Sequence, residues 1–261
     1  MLLVCDVGNT ETTIGVAQSG RIVAHWRVMT SATRTPHEFA LVLRSLLDLD
    51  DVAHAAIDSA AIGSVVPAVT SPLAEGIRLA FAVTPLVIDA TSALPITLDV
   101  EEPQTVGADR IINTLAASRI YATDCIVVDL GTATTYDCIT RDGVFLGGVI
   151  APGVLTSLET LTRRTSKLPA TELRAPAHVL GRRTEECIRS GVVYGAVDAI
   201  TGIVGRLRAE WPTGREPMVI GTGGLAGMLQ PYCPVLAVVD PDLTLRGLAM
   251  AHALLAGSDA D

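Results

Sequence analysis

The sequence predicts an α/β fold made of two similar lobes. Three observations predict it. Apolar strand-like runs alternate with amphipathic helical stretches along the chain. The segment Leu2–Val23 is echoed by Ile126–Leu146, with its landmark residues 123 positions apart. Finally, 261 residues with 49% hydrophobic content supply enough apolar surface for two cores.

The repeat is the most informative of the three. Asp6-Val7-Gly8-Asn9-Thr10 falls on Asp129-Leu130-Gly131-Thr132-Ala133, and Gly20 falls on Gly143. Each copy reads as an apolar strand closed by a carboxylate, a tight polar turn, a second strand and a hairpin turn. The hairpins are Gln18-Ser19-Gly20-Arg21 and Arg141-Asp142-Gly143-Val144, where glycine supplies a positive φ. One such segment is an ordinary hairpin; two at one offset imply a duplicated lobe.

Further elements follow in order. Thr35-Pro36-His37-Glu38 has the form of a capping box with proline at the first helical position. Phe39, Val42, Leu43, Leu46 and Leu47 then mark one helix face. Ala60–Val66 reads as a buried strand stopped by Pro67, with a helix over Val69–Phe81 and a short strand at Pro85–Ile88. A helix is expected from Ala108 to Tyr121. Strands are expected at Ile126–Leu130, Thr134–Ile139 and Val144–Ile150, and helices at Val154–Arg163 and Thr184–Ala209. Strands at Pro217–Ile220 and Val235–Val239 and a helix at Leu243–Leu255 complete the pattern, before an acidic tail, Ser258-Asp259-Ala260-Asp261. The lobe boundary is placed within Pro103–Asp124, giving lobes of residues 1–115 and 116–261.

Bulk properties exclude several function classes. The formal charge is −9 with no basic cluster, so a nucleic-acid footprint is not expected. Five cysteines at irregular spacing, without a CxxC, read as reduced thiols, and the histidines form no zinc motif. No uncharged apolar run reaches the ~18 residues of a membrane span. The N-terminal apolar run stops at Asp6, as a strand would. A soluble, cytoplasmic protein is expected.

The polar turns suggest phosphate chemistry, which needs a cradle, a cation and a base. Asp6-Val7-Gly8-Asn9-Thr10-Glu11-Thr12-Thr13 offers backbone N–H groups and the hydroxyls of Thr10, Thr12 and Thr13. Asp6 would act through Mg²⁺ and its waters, and Glu11 is expected to point away. In the second turn Thr132 is the candidate phosphate contact and Asp129 a cation ligand. Gly221-Thr222-Gly223-Gly224 forms a third loop suited to adenine or ribose. Neither G-x-x-x-x-G-K-[ST] nor a strand-then-helix G-x-G-x-x-G occurs, so P-loop and Rossmann readings lose ground. Asp109, within Val106-Gly107-Ala108-Asp109-Arg110, is the candidate base in the first turn of a helix; a helix-capping carboxylate is the alternative. Thr184, followed by Glu185-Glu186, reads equally as an N-cap or a ligand contact.

Taken together and in this order, these segments resemble the type III pantothenate kinases of the acetate and sugar kinase, chaperone and actin superfamily. Ser64-Val65-Val66-Pro67, Gly147-Gly148 with Pro152-Gly153, Ser190-Gly191 and Asp240-Pro241-Asp242-Leu243-Thr244-Leu245-Arg246-Gly247-Leu248 add to the match. The resemblance implies an actin-like, ribonuclease-H-like two-lobe ATPase fold with the nucleotide between the lobes, and a homodimer. It implies ATP with Mg²⁺ at Asp6–Thr13 and Thr132, and K⁺ or NH₄⁺ at Asp129; a second Mg²⁺ shell at Asp129 stays open. Pantothenate is implied at Gly107, Ala108, Asp109, Arg110 and Thr184, with Asp109 accepting the proton. That chemistry opens coenzyme A synthesis. Two departures stand out: Asp99-Val100-Glu101-Glu102-Pro103 where many relatives carry an Asp-Asn-Pro-like sequence, and Thr13 where some carry lysine. The competing readings are another small-molecule kinase of the superfamily and a non-catalytic regulator on the same fold.

Overall fold

β1 (Leu2–Val7), β2 (Glu11–Gln18) and β3 (Arg21–Met29) form an antiparallel meander in the computed structural model, which describes residues 1–258. β4 (Ser59–Ser64) pairs in parallel with β1, and β5 (Leu86–Ile88) in parallel with β4, so the sheet order is β3-β2-β1-β4-β5. Alternation along β1 sends successive side chains to opposite faces. Leu3, Cys5 and Val7 face α1 (Pro36–Leu49) and α2 (Pro67–Phe81), packing with Phe39, Leu43, Leu73 and Ile77. Val4 and Ala61 face the other way, onto Ile111, Ile112 and Leu115 of α3 (Ala108–Tyr121) and Leu245 and Leu248 of α7 (Leu243–Ser258). The capping box of α1 forms as expected: Glu38 N donates to Thr35 Oγ1 at 3.3 Å, and Thr35 N donates to Glu38 Oε2 at 2.7 Å.

The second half repeats the meander. β6 (Thr97–Leu98) precedes α3, and β7 (Cys125–Leu130), β8 (Ala133–Ile139) and β9 (Val144–Pro152) follow it. β1 and β7, like β3 and β9, have their ends 123 residues apart. The hairpin glycines match too, with φ of 76° at Gly20 and 78° at Gly143. β10 (Met218–Thr222) pairs in parallel with β7, and β11 (Val238–Val239) with β10. Ile126, Val128 and Leu130 pack on α4 (Val154–Arg164), α5 (Thr184–Ala209) and α6 (Ala226–Leu229) through Val154, Val193, Val197, Ile200 and Leu229.

The chain divides into two units with a change-over inside the Pro103–Asp124 window, five residues past the 115/116 bound, and the C-terminal segment joins the first unit instead of the second. Met1–Ile120 forms the first together with the segment from Asp242 through α7; Tyr121–Pro241 forms the second. α7 returns because its apolar face has partners on β1, β4 and α3. Gly247 sits against Ile112 and Ala116, where a Cβ would come within 2.6 Å of Ile112 O. Beyond Ser258 the expected acidic tail lies outside the described residues. α5 is 26 residues long and meets the length and mean composition of a membrane span, though Asp198 interrupts its apolar run, so no uncharged run of that length occurs, as expected. Val193, Val197, Ile200 and Val204 are buried in the second core, so one side of it serves as a core helix.

Candidate functional site

The first polar turn is built from the end of β1. Gly8 N donates to Glu11 O at 3.0 Å, and a Cβ on Gly8 would stand 2.9 Å from that oxygen, so glycine is needed for the tight turn. Thr30, just past β3, clamps the turn. Its N–H donates to Thr10 O at 2.8 Å and its hydroxyl to Gly8 O at 2.7 Å. Asn9 and Thr10 are exposed at the tip, while Val7 is buried beneath it.

Two residues of this segment are placed differently from the others. Thr12 is buried, with its hydroxyl 2.9 Å from that of Thr30, so it braces the turn instead of offering a donor to solvent. The cause is the alternation of β2, which turns Thr12 inward and leaves Thr13, opposite Asp6, partly exposed. Glu11 points to Arg27, 3.6 Å from its Nη1.

The second turn carries the same clamp in altered form. Gly131 N donates to Ala133 O at 3.1 Å, and the turn is one residue shorter, since Asp129 pairs with Thr135 where Asp6 pairs with Thr13. Gly153, 123 residues after Thr30, donates its N–H to Thr132 O at 3.1 Å, and Thr156 Oγ1 donates to the same oxygen at 2.7 Å. A Cβ on Gly153 would overlap the carbonyls of Gly131 and Thr132. Sequence reading did not single out Thr30 or Thr156; the 123-residue offset would have paired Thr30 with Gly153.

Asp129 is backed by the third loop. Thr222 pairs with it across β7 and β10, and Gly223 (φ 85°) lies where a Cβ would overlap Asp129 Oδ1. That absent Cβ lets the loop backbone lie directly against the carboxylate. Among the described residues no group of three or more His, Cys, Asp or Glu side chains is arranged to hold a metal.

Asp109 is the second residue of α3, after Gly107 and Ala108. Its Oδ1 accepts the Arg110 N–H at 2.8 Å, so it does satisfy one helix-start donor. Burial pushes its carboxyl above the usual range, against the opposing effects of that N–H and the Arg110 charge. A Cβ on Gly107 would stand 2.5 Å from Asp109 Oδ1, so a side chain there would push on the carboxylate. The first unit thus holds both the Asp6–Thr13 turn and Gly107–Arg110, while Asp129, Thr132 and Thr184 belong to the second.

Thr184 is not the helix cap. Arg183 occupies that position, and the Glu186 carboxylate accepts the N–H groups of Arg182 and Arg183 at 2.9 and 3.3 Å. Thr184 instead lines a cavity of about 670 Å³ with Thr134, Pro152, Val154, Cys187 and Gly191. The lining is mostly apolar, so the threonine hydroxyl is one of its few polar groups.

The model of a family described as type III pantothenate kinase matches residues 2–206. The chain is similar to the type III pantothenate kinase of Halalkalibacterium halodurans, with 42% identity over 252 residues, covering 97% of this chain and 98% of that one. With that of Bacillus cytotoxicus the identity is 37%, covering 97% and 95%. Among solved structures, the activator of 2-hydroxyisocaproyl-CoA dehydratase from Clostridium difficile with bound ADPNP aligns with a TM-score of 0.58 at 12% identity, covering 99% of this chain and 97% of that one. Component A of the (R)-2-hydroxyglutaryl-CoA dehydratase of Acidaminococcus fermentans aligns at 0.52 and 14%, covering 100% and 99%. These structural likenesses carry the fold alone, that of the actin-like ATPases and sugar kinases, with two mixed sheets. The family match and the near-full-length relatives carry more: the chain belongs to the type III pantothenate kinase family.

Proposed function

We propose that this kinase transfers the γ-phosphate of ATP to the primary hydroxyl of pantothenate, the first step of coenzyme A synthesis, with Asp109 as the base. The observation that carries the base assignment is the setting of Asp109: a partly buried carboxylate of raised pKa, at a helix start, in the same unit as a glycine turn whose Asn9 and Thr10 are exposed. A carboxylate of raised pKa takes up a hydroxyl proton more readily at neutral pH.

In this reading the Gly8–Thr10 backbone and the Thr132 turn hold ATP phosphates, and Val7 supports the turn from below. Asp6 orients the waters of Mg²⁺, and Asp129 holds K⁺ or NH₄⁺; these ions offset phosphate charge when bound. Gly107, Ala108 and Thr184 meet pantothenate's polar atoms. Arg110, one residue beyond the base and turned about 100° from it, serves the transferring phosphoryl group. Thr12 is left out of the ligand set because its hydroxyl is engaged inside, and Glu11 because it faces Arg27.

The protein is further read as a cytoplasmic homodimer. Gly191 and Gly195 stand where a Cβ on α5 would meet no atom within 4 Å, and Ile150 on β9 and Leu155 and Leu161 on α4 are exposed. Five free thiols, four of them buried, suit a reducing compartment.

A coupled ADP-release assay tests the reading. Pantothenate should stimulate ATP turnover, in K⁺ and not in Na⁺, while sugars and polyphosphate should not. Turnover with a sugar and none with pantothenate would favour the superfamily alternative. No turnover with any acceptor would favour a non-catalytic regulator.

A further inference from the structure

Val65 lies in the bend between β4 and α2 and touches both halves of the chemistry assigned to the first unit. Its N–H donates at 3.1 Å to the carbonyl of Val7, the residue before Gly8 in the phosphate turn. Its side chain reaches Gly107. Val65 Cγ1 lies 3.2 Å from the point where a Cβ on Gly107 would stand, and Asp109 Oδ1 lies 2.5 Å from that same point. The methyl group and the carboxylate oxygen therefore both crowd the place beside Gly107 that a side chain would otherwise take.

The bend itself is held in shape. Ser64 Oγ accepts the Val66 N–H at 3.1 Å and the Thr70 hydroxyl at 2.8 Å, and Pro67 starts α2 directly afterwards. Ser64 also pairs with Val7 across β1 and β4. Val65 thus has little freedom to swing away from Gly107.

We propose that Val65 is a positioning residue for phosphoryl transfer: its backbone ties the bend to the nucleotide turn, and its isopropyl group keeps water from the Asp109 carboxylate on the Gly107 side. This rests on the reading of Asp109 as the base. A hydrated carboxylate is a stronger acid and a weaker base, so loss of this apolar wall should appear in the pH dependence of catalysis. A residue that only filled space would change stability and leave that dependence alone.

The test compares Val65→Thr, which keeps shape and adds a hydroxyl, with Val65→Ala and Val65→Ile. kcat/KM for pantothenate is measured across pH, beside KM for ATP and thermal melting. In the Thr and Ala variants the acid limb should move to lower pH and kcat near neutrality should fall roughly tenfold. KM for ATP should stay within about twofold, and Ile should keep the wild-type limb. An unmoved limb in both Thr and Ala variants overturns the proposal, whatever the melting shows. If one variant fails to fold, the other decides. Asp109→Asn serves as the separate control. Turnover surviving that change would remove the base reading itself, whereas an inactive Asp109→Asn with an unmoved limb at Val65 would remove only the role of Val65.

Discussion

Gly223 stands so close to Asp129 that a Cβ on it would overlap the carboxylate Oδ1, and it would come within 2.7 Å of Leu130 N as well. The third glycine loop is therefore a wall of the Asp129 site. Gly223→Ala should displace the carboxylate and strain a backbone at φ 85°, at a cost of about 1–3 kcal/mol in stability. K⁺ titration of the rate should flatten and activity should fall at least tenfold. Asp129→Ala should lose the same ion dependence without the strain. Equal wild-type rates in K⁺ and Na⁺ would remove the monovalent cation from this site and leave the Mg²⁺-shell alternative.

Thr184→Val separates ligand contact from helix capping. Thr184 follows the cap position and lines the large cavity, while Glu186 satisfies the preceding N–H groups. The expected effect is a 5–30-fold rise in KM for pantothenate, about 1–2 kcal/mol for one hydrogen bond left unmade. KM for ATP and the melting temperature should change little. Glu186→Ala should do the reverse, lowering the melting temperature. A Thr184→Val protein with unchanged pantothenate KM would remove Thr184 from the substrate site.

Asp124 ties the start of β7 to two loops. Its buried carboxylate accepts the Arg141 N–H at 2.9 Å and the Trp211 Nε1–H at 3.1 Å, takes a hydrogen bond from Thr213, and lies 4.0 Å from Arg215. Burial alone would raise its pKa; the Thr213, Arg141 and Trp211 hydrogen bonds and the Arg215 charge outweigh it, so the folded value lies below the usual range. The stabilisation it brings is therefore present above the unfolded value of about 3.9 and is lost as pH falls through the folded value. Asp124→Asn should lose about 2 kcal/mol near neutrality, with the gap to wild type closing in strong acid. Thermal melting of both proteins from pH 2 to 7 checks this; a gap constant over that range would contradict it.

Much of this architecture was legible because the sequence states it twice. Gly8 and Gly131, with Gly20 and Gly143, mark the same turns in both copies, and the predicted bounds of α3 and α5 agree with the structure. What escaped depends on contacts between segments distant in sequence. The return of α7 to the first unit comes from Leu245 and Leu248 meeting Val4 and Ala61, which no local pattern announces. Thr30 as a clamp was hidden because one threonine after a strand carries no signal without its counterpart Gly153. Thr12 looked like a donor until the strand alternation that buries it was fixed by register. Val65 was legible only as part of the Ala60–Val66 strand and of the segment that adds to the resemblance, and its neighbours Val7 and Gly107 are far from it in sequence.

The central claim is that Asp109 accepts the proton of pantothenate's primary hydroxyl, and Asp109→Asn tests it most directly. Asparagine keeps the size and can still accept the Arg110 N–H, so α3 should form and ATP should bind as before. The measurement is kcat for pantothenate-dependent ADP release by the purified variant, at saturating ATP in K⁺ buffer. The account predicts a loss on the order of 10²–10⁴. Turnover within a few-fold of wild type would contradict it and leave Asp109 as a helix-start carboxylate.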